Sequence, residues 1–244
     1  MKLVIVRHGD PDYAMDSLTE TGWQEAALLV PRMEKLEIQA IYVSPLGRAQ
    51  DTASLTLKKL GREAVTLPWL REFGPQILRP GCSRPTVVWD WPPRDWTAEP
   101  KHFHPTQWCE TELFRRYNVG EHYREVTERF DALLAEHGYV RDGAYYRAER
   151  ANEDTLVFFC HFGLECVLLS HLMNVSPMIL WHSTCAAPSS VTTVVTEERH
   201  RGISYFRMSS FGDISHLYTA DQEPSFAARF CETYDTPGQR RDED

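Results

Sequence analysis

Three short segments of this 244-residue chain place a cation or an imidazole next to glycine: Arg7-His8-Gly9, Ser44-Pro45-Leu46-Gly47-Arg48 and His161-Phe162-Gly163. Each follows a short apolar run that reads as a buried strand, at residues 2–6, 40–43 and 155–160. In a parallel sheet the carboxyl ends of such strands share one rim, where open α/β sheets bind their ligands. Two guanidinium groups and two imidazoles gathered there describe an oxyanion site, and phosphate is the anion they suit best. The glycines let backbone come close to such a ligand. Ser44 followed by Pro45 is a favourable N-cap and first helical position, so a helix N-terminus with free N–H groups is expected at the same rim. Taken singly, Arg7 reads as a surface ion pair and His161 as a core histidine. Their coincidence at three strand ends carries the reading.

The elements that must position these residues follow from periodicity. Residues 19–36 place Trp23, Ala26, Ala27, Val30 and Met33 at a helical spacing, with Pro31 expected to kink that helix or end it early. A second helix is predicted from Pro45, with Leu46, Ala49, Ala53, Leu57 and Leu60 on its apolar face, and a short strand at 64–67. Residues 121–137 form a strongly amphipathic helix with Gly138 as its stop, and 163–173 another helix. The runs 191–196 and 203–208 read as a closing hairpin. This alternation predicts a three-layer α/β/α sandwich around a mostly parallel central sheet. One domain is expected over residues 1–235, with a polar tail at 236–244 that frays.

Between residues 74 and 120 the pattern breaks into a proline-rich stretch that holds most of the tryptophans. Its aromatic content is too high for disorder, so it reads as a cap insertion lying over the sheet. Trp89, Trp91, Trp96 and Trp108 are expected to pack it on itself. Arg79, Arg84, Trp89 and Trp91 are the candidates in it for contact with a substrate. Three decoys are set aside. Cys109 and Arg115 have the spacing of a cysteine-dependent phosphatase loop, but the residues between them include two acids and no glycine. His102 and His104 read as exposed loop histidines, since no third metal ligand stands nearby. Cys160, beside His161, reads as a core residue because adjacent strand residues face opposite ways.

The ordered set Arg7-His8-Gly9, Leu18–Gly22 (LTETG), Ser44–Ala53 (SPLGRAQDTA), Leu70–Phe73 (LREF) and Cys160–Gly163 (CHFG) resembles the phosphoglycerate-mutase-like branch of the histidine phosphatase superfamily. The resemblance extends from Lys2 to about Val195. It implies His8 as the nucleophile, Arg7, Arg48 and His161 as ligands of the transferring phosphoryl group, and Glu72 as proton donor. His161 thus joins His8 and Glu72 in the expected catalytic set. The chemistry is coherent on its own terms. A neutral imidazole held at one nitrogen can attack phosphorus with the other. Flanking arginines repel a proton from it and neutralise the phosphoryl oxygens in the transition state. No metal or other cofactor is required. Two departures stand out: Phe162 occupies a position usually held by glycine, narrowing the space beside His161, and the loop Asp10-Pro11-Asp12-Tyr13 lacks an asparagine often found there. The longer segments typical of glycolytic phosphoglycerate mutases are not visible, which favours a phosphatase over a mutase.

Composition bounds the partners. A net charge of −9 argues against nucleic acid and anionic membrane surfaces while leaving room for a basic pocket. With no apolar run long enough to span a bilayer and no secretion-like h-region, a cytoplasmic protein with reduced thiols is expected. The expected partner is a small phosphorylated metabolite. The alternatives are a phosphomutase and a catalytically weak protein that binds phosphorylated ligands as a regulator.

Overall fold

The computed structural model describes residues 1–79, 81–226 and 231–239. The chain runs through β1 (Lys2–Arg7), the two-residue strands β2 (Pro11–Asp12) and β3 (Ser17–Leu18), α1 (Glu20–Met33), β4 (Ile38–Val43), α2 (Gly47–Leu60) and β5 (Val65–Thr66). The insertion contributes β6 (Gln76–Ile77), β7 (Thr86–Val87), α3 (Pro93–Thr97) and α4 (Glu112–Arg116). Then come α5 (Val119–Glu136), β8 (Tyr139–Asp142), β9 (Tyr145–Ala148), β10 (Thr155–Cys160), α6 (Phe162–Met173), α7 (Pro177–Ser183), β11 (Val191–His200), β12 (Ile203–Asp213) and α8 (Ser215–Tyr218).

Among the described residues the main sheet has the order β5-β4-β10-β1-β11-β12-β9-β8. Its core half, β5, β4, β10 and β1, is parallel, and the remainder is antiparallel. Side chains alternate across it. Leu3 and Ile5 of β1, with Leu156 and Phe158 of β10, join the core shared with α5, α6 and the insertion. Val4, Val6, Val157 and Phe159 face the opposite way, into the core beneath α1 and α2. Helices therefore cover both faces, as the alternation predicts. α6 is buried on nearly all sides, which makes it a rigid mount for whatever its N-terminus holds.

Three details differ from the expectation. The hairpin β8–β9 extends the antiparallel half through a tight turn at Gly143, where φ is +60°. Its four-residue strands are too short to stand out by periodicity. The closing hairpin runs longer than predicted, over Val191–His200 and Ile203–Asp213. The buried face of α1 is Gly22, Glu25, Ala26, Leu29 and Met33, while Trp23 is exposed. The rotation has a polar cause: the Glu25 carboxylate accepts the Asp10 N–H at 2.8 Å, which turns this face toward the loop after β1. Pro31 sits in the last turn, and the helix ends at Met33. Of the expected tail, residues 236–239 form a turn closed by Gln239 N–H to Thr236 O at 3.5 Å, and residues 240–244 lie outside the described residues.

Gly22 meets the same loop. A Cβ at this position would lie 2.3 Å from the Asp10 carbonyl oxygen, a backbone atom with nowhere to go. Gly22→Ala is expected to cost roughly 1–3 kcal/mol, the usual scale of overpacking, and to lower Tm by several degrees. The loop shift should reduce turnover with it. Thermal denaturation checks this, and an unchanged Tm would contradict the close approach.

Candidate functional site

Three chain reversals meet at the carboxyl end of the parallel strands. The Arg7 N–H bonds Ser190 O, and the His8 N–H bonds Cys160 O, each at 3.0 Å, so the loop after β1 is pinned to both neighbouring strands. Gly9 N–H donates to Thr52 Oγ1 of α2 at 2.9 Å, fixing the next step of the loop. His8 is 2% exposed and His161 not at all, with ring centroids 5.1 Å apart. His8 Nδ1 lies 2.8 Å from the Gly9 carbonyl oxygen. A carbonyl only accepts, so Nδ1 carries the proton and Nε2 presents a lone pair. Burial first, then the Arg7 charge, holds the His8 pKa well below its ordinary value, with Arg48 adding to this. The imidazole is therefore neutral, and desolvation outweighs the like-charge repulsion expected from the arginines.

His161 precedes α6, and its Nε2 lies 2.7 Å from Ser44 Oγ. Its pKa is also held well below the usual value, by burial and by the neighbouring His8. Its Nδ1 is buried without a hydrogen-bond partner among the described residues. Ser44 thus has a different task from the one expected. α2 begins at Gly47 with Leu46 as its N-cap, so neither Ser44 nor Pro45 opens it. The Ser44 hydroxyl instead orients His161. The N-terminus of α2 is not free either: the Asp16 carboxylate accepts Gly47 N–H at 2.7 Å and pairs with Arg48 at 2.6 Å. Asp16 fixes Arg48 beneath the exposed ring of Tyr13, 5.4 Å from the guanidinium. Among the described residues Arg48 Nε is buried without a hydrogen-bond partner. Arg7 donates to the Ala186 carbonyl and stacks on Phe162 at 5.7 Å. Glu25 and Glu165 are buried, which pushes both carboxyls up to about 7, and the Arg7 charge draws each back down.

Glu72 reaches the site from the segment after β5. Its Oε1 accepts Phe73 N–H at 2.7 Å and Leu164 N–H at 2.9 Å, placing the carboxyl on the first turn of α6. Burial raises its pKa above the ordinary value, opposed by those N–H groups and by Arg7. Gly163 leaves room for this. A Cβ there would lie 2.7 Å from Glu72 Oε1 and 2.6 Å from Trp89 Nε1. His8, Arg7, Arg48, His161 and Glu72 are thus brought to one place from four distant points in the sequence.

The insertion behaves less uniformly. Of its four candidates, Trp89 reaches the site, donating to Phe73 O at 2.9 Å and packing edge-on against Phe162. Arg79 is buried, stacked over Trp91 at 5.6 Å and bonded to Thr86. Trp91 packs on His102 and Phe114. Arg84 is exposed. The remaining tryptophans bind the insertion to the body: Trp108 meets Trp181 of α7, and Trp96 stacks on His182. Phe162, expected to narrow the space beside His161, is buried, with the Arg7 guanidinium 5.7 Å from its ring centroid. His102 is not an exposed loop histidine. It is buried, with Nδ1 donating to Trp96 O at 2.8 Å. Among the described residues no group of three His, Cys, Asp or Glu side chains is placed to hold a metal ion. Cys160 is buried in the core as expected.

Asp16, Thr52 and the orienting role of Ser44 were not legible beforehand. Thr52 stands four residues after Arg48, one turn along the same face, and that spacing was the available signal. For Asp16 there was none.

Comparison with known proteins bears on the family and the fold that carries these residues. The profile of the histidine phosphatase superfamily (branch 1) matches residues 3–208. A protein named "Probable phosphoglycerate mutase GpmB" from Photorhabdus laumondii is 34% identical over 87 residues, 32% of this chain and 40% of that one. The match thus spans well under half of that relative. Phosphoserine phosphatase of Entamoeba histolytica superposes with a TM-score of 0.59 at 18% identity, over 88% of this chain and 98% of that chain. A mycobacterial glucosyl-3-phosphoglycerate phosphatase does so with a TM-score of 0.53 at 19% identity, over 86% and 98%. At such identities the likeness is one of fold.

Proposed function

The chain belongs to branch 1 of the histidine phosphatase superfamily, and from that premise we propose that it hydrolyses a small phosphate monoester through a phosphohistidine formed on His8. The observation that carries the reading is the state of His8: buried, neutral, tethered at Nδ1 by the Gly9 carbonyl, and beside Arg7, Arg48 and His161.

In the first step His8 Nε2 attacks phosphorus as the ester P–O bond breaks, and Glu72 gives its proton to the departing alkoxide. Arg7 and Arg48 neutralise the phosphoryl oxygens, whose charge spreads in a loose transition state. With the Ser44 hydroxyl donating to His161 Nε2, the His161 proton sits on Nδ1 and is available to a phosphoryl oxygen. In the second step water attacks phosphorus, Glu72 takes its proton, and phosphate leaves with His8 restored as a neutral imidazole. Every charge in this scheme is supplied by the chain's own side chains.

The pKa directions set the pH profile. His8 must be unprotonated, and its pKa lies well below 6.5, so activity persists into acid. Glu72 must be protonated for the first step, and its pKa is raised above 4.5. Activity on alkyl phosphates therefore declines as pH climbs through that raised value, so kcat/KM falls toward alkaline pH. A rate that kept increasing from pH 7 to 9 would contradict it.

The partner proposed is a small phosphorylated metabolite. Among the described residues no helix is long and apolar enough to cross a membrane. The test is a panel of phosphorylated metabolites assayed for free phosphate with and without EDTA. Metal-independent release from at least one is expected. Interconversion of phosphoglycerates without net release would make it a mutase, and binding with no turnover of any monoester would make it a phospho-ligand-binding protein.

A further inference from the structure

The loop that carries His8 leaves β1 held by backbone bonds, and its continuation is held from the far end of the chain. Ser225 Oγ donates to Asp10 Oδ1 at 2.5 Å, across 215 positions. The Ser225 N–H donates to Glu25 Oε1 at 3.3 Å, and Glu25 Oε2 accepts the Asp10 N–H at 2.8 Å. Asp10, Glu25 and Ser225 thus close a ring of hydrogen bonds two residues beyond His8. Thr19 Oγ1 takes the second Asp10 carboxylate oxygen at 2.6 Å. A hydroxyl on a carboxylate makes one of the stronger hydrogen bonds a loop can have.

The same end of the chain grips the loop at a second point. The His8 carbonyl accepts Ser189 N–H at 3.0 Å, and Ser189 Oγ lies 3.1 Å from Nε2 of the buried His216 of α8. α8 is itself mounted on α1. Arg32 pairs with Asp213 at 2.9 Å, and the Asp213 carboxylate accepts Ser215 N–H at 2.7 Å. Gln222 N–H then bonds Leu217 O at 3.0 Å, folding the following segment back on α8. All of this lies past residue 208, where the family match ends, so family membership does not account for it.

We propose that Ser225 is a positioning residue for phosphoryl transfer: through Asp10 and Glu25 it sets the loop that aims His8. This rests on the phosphatase reading and adds to it a residue that acts through its neighbours. Misplacing a nucleophile by 1 Å can cost about 100-fold in rate, so a tether two residues away should be felt in the chemical step.

Nitrophenol released from p-nitrophenyl phosphate in the first turnover tests it. That leaving group needs no proton from Glu72, so the rate reports the aim of His8. In Ser225→Ala it should fall about 10–100-fold. Inhibition by inorganic phosphate should stay close to the wild-type value, because Arg7, Arg48 and His161 keep their own tethers at Ala186, Asp16 and Ser44. Ser225→Thr retains the hydroxyl and should retain most of the rate. Asp10→Ala should lose at least as much as Ser225→Ala, and the double variant little more than Asp10→Ala alone, since both changes remove one bond. A merely structural role would lower Tm and leave the rate per folded molecule unchanged, which overturns the proposal. So do additive losses in the double variant, or Ser225→Thr as slow as Ser225→Ala. Failure of the wild-type protein to release phosphate from any monoester would instead strike the phosphatase reading and take this inference with it.

Discussion

His8→Ala is expected to reduce phosphate release by about 10⁴-fold or more on every monoester, the scale seen when a covalent nucleophile is removed. No other side chain in the constellation can replace it. His161 is the nearest imidazole, but its Nε2 is engaged by Ser44, and with the Ser44 hydroxyl as donor its remaining nitrogen carries the proton that phosphate needs. The fold should survive. Among the described residues the His8 ring makes one hydrogen bond, to the Gly9 carbonyl, worth about 1 kcal/mol. The loop itself is held by backbone bonds to Cys160 and Ser190 and by Thr52. Circular dichroism and phosphate binding should therefore persist while turnover disappears. Activity above a tenth of the wild-type value would remove His8 from the nucleophile's role.

The second large effect concerns Glu72. In Glu72→Gln the amide oxygen can still accept the Phe73 and Leu164 N–H groups, so the segment should stay in place while its proton is lost. For alkyl phosphates the expected loss in kcat is about 10²–10⁴-fold, typical of general acid–base catalysis. The loss depends on the leaving group. An aryl oxide departs without protonation, so p-nitrophenyl phosphate should still phosphorylate His8, and the slowed second step should appear as a burst of nitrophenol. The basic limb of the pH profile should vanish with the carboxyl group. Equal losses on alkyl and aryl esters, with the pH profile unchanged, would assign Glu72 a structural role on α6 and none in proton transfer.

What was legible in the sequence was the part encoded locally. Arg7, His8, Arg48 and His161 stand at the ends of apolar runs, and strand direction alone brings them together. Glu72 was found through the LREF segment. What orients these groups was not legible, because it depends on contacts between distant segments. Asp16 sits at a φ of +48° in the loop before β3 and meets Arg48 across 32 positions. Ser44 looked like a helix cap because Pro45 follows it, yet the bond to His161 takes its hydroxyl and α2 starts at Gly47. The face of α1 was misjudged for a related reason: Trp23 is more apolar than Glu25, but Glu25 has a backbone N–H to satisfy and is buried to do it. The tryptophans show the same limit. Their number announces a packed insertion, and only the folded chain shows that Trp89 and Glu72 both crowd Gly163.

The central claim is a covalent phosphohistidine, and rapid quenching tests it most directly. A substrate with a radiolabelled phosphoryl group is mixed with the protein and stopped in alkali within one turnover. The account predicts label on the protein, stable to alkali and lost in acid, in a peptide containing His8, forming and decaying at rates that match turnover. Steady release of phosphate with no label on the protein at any time point would contradict it.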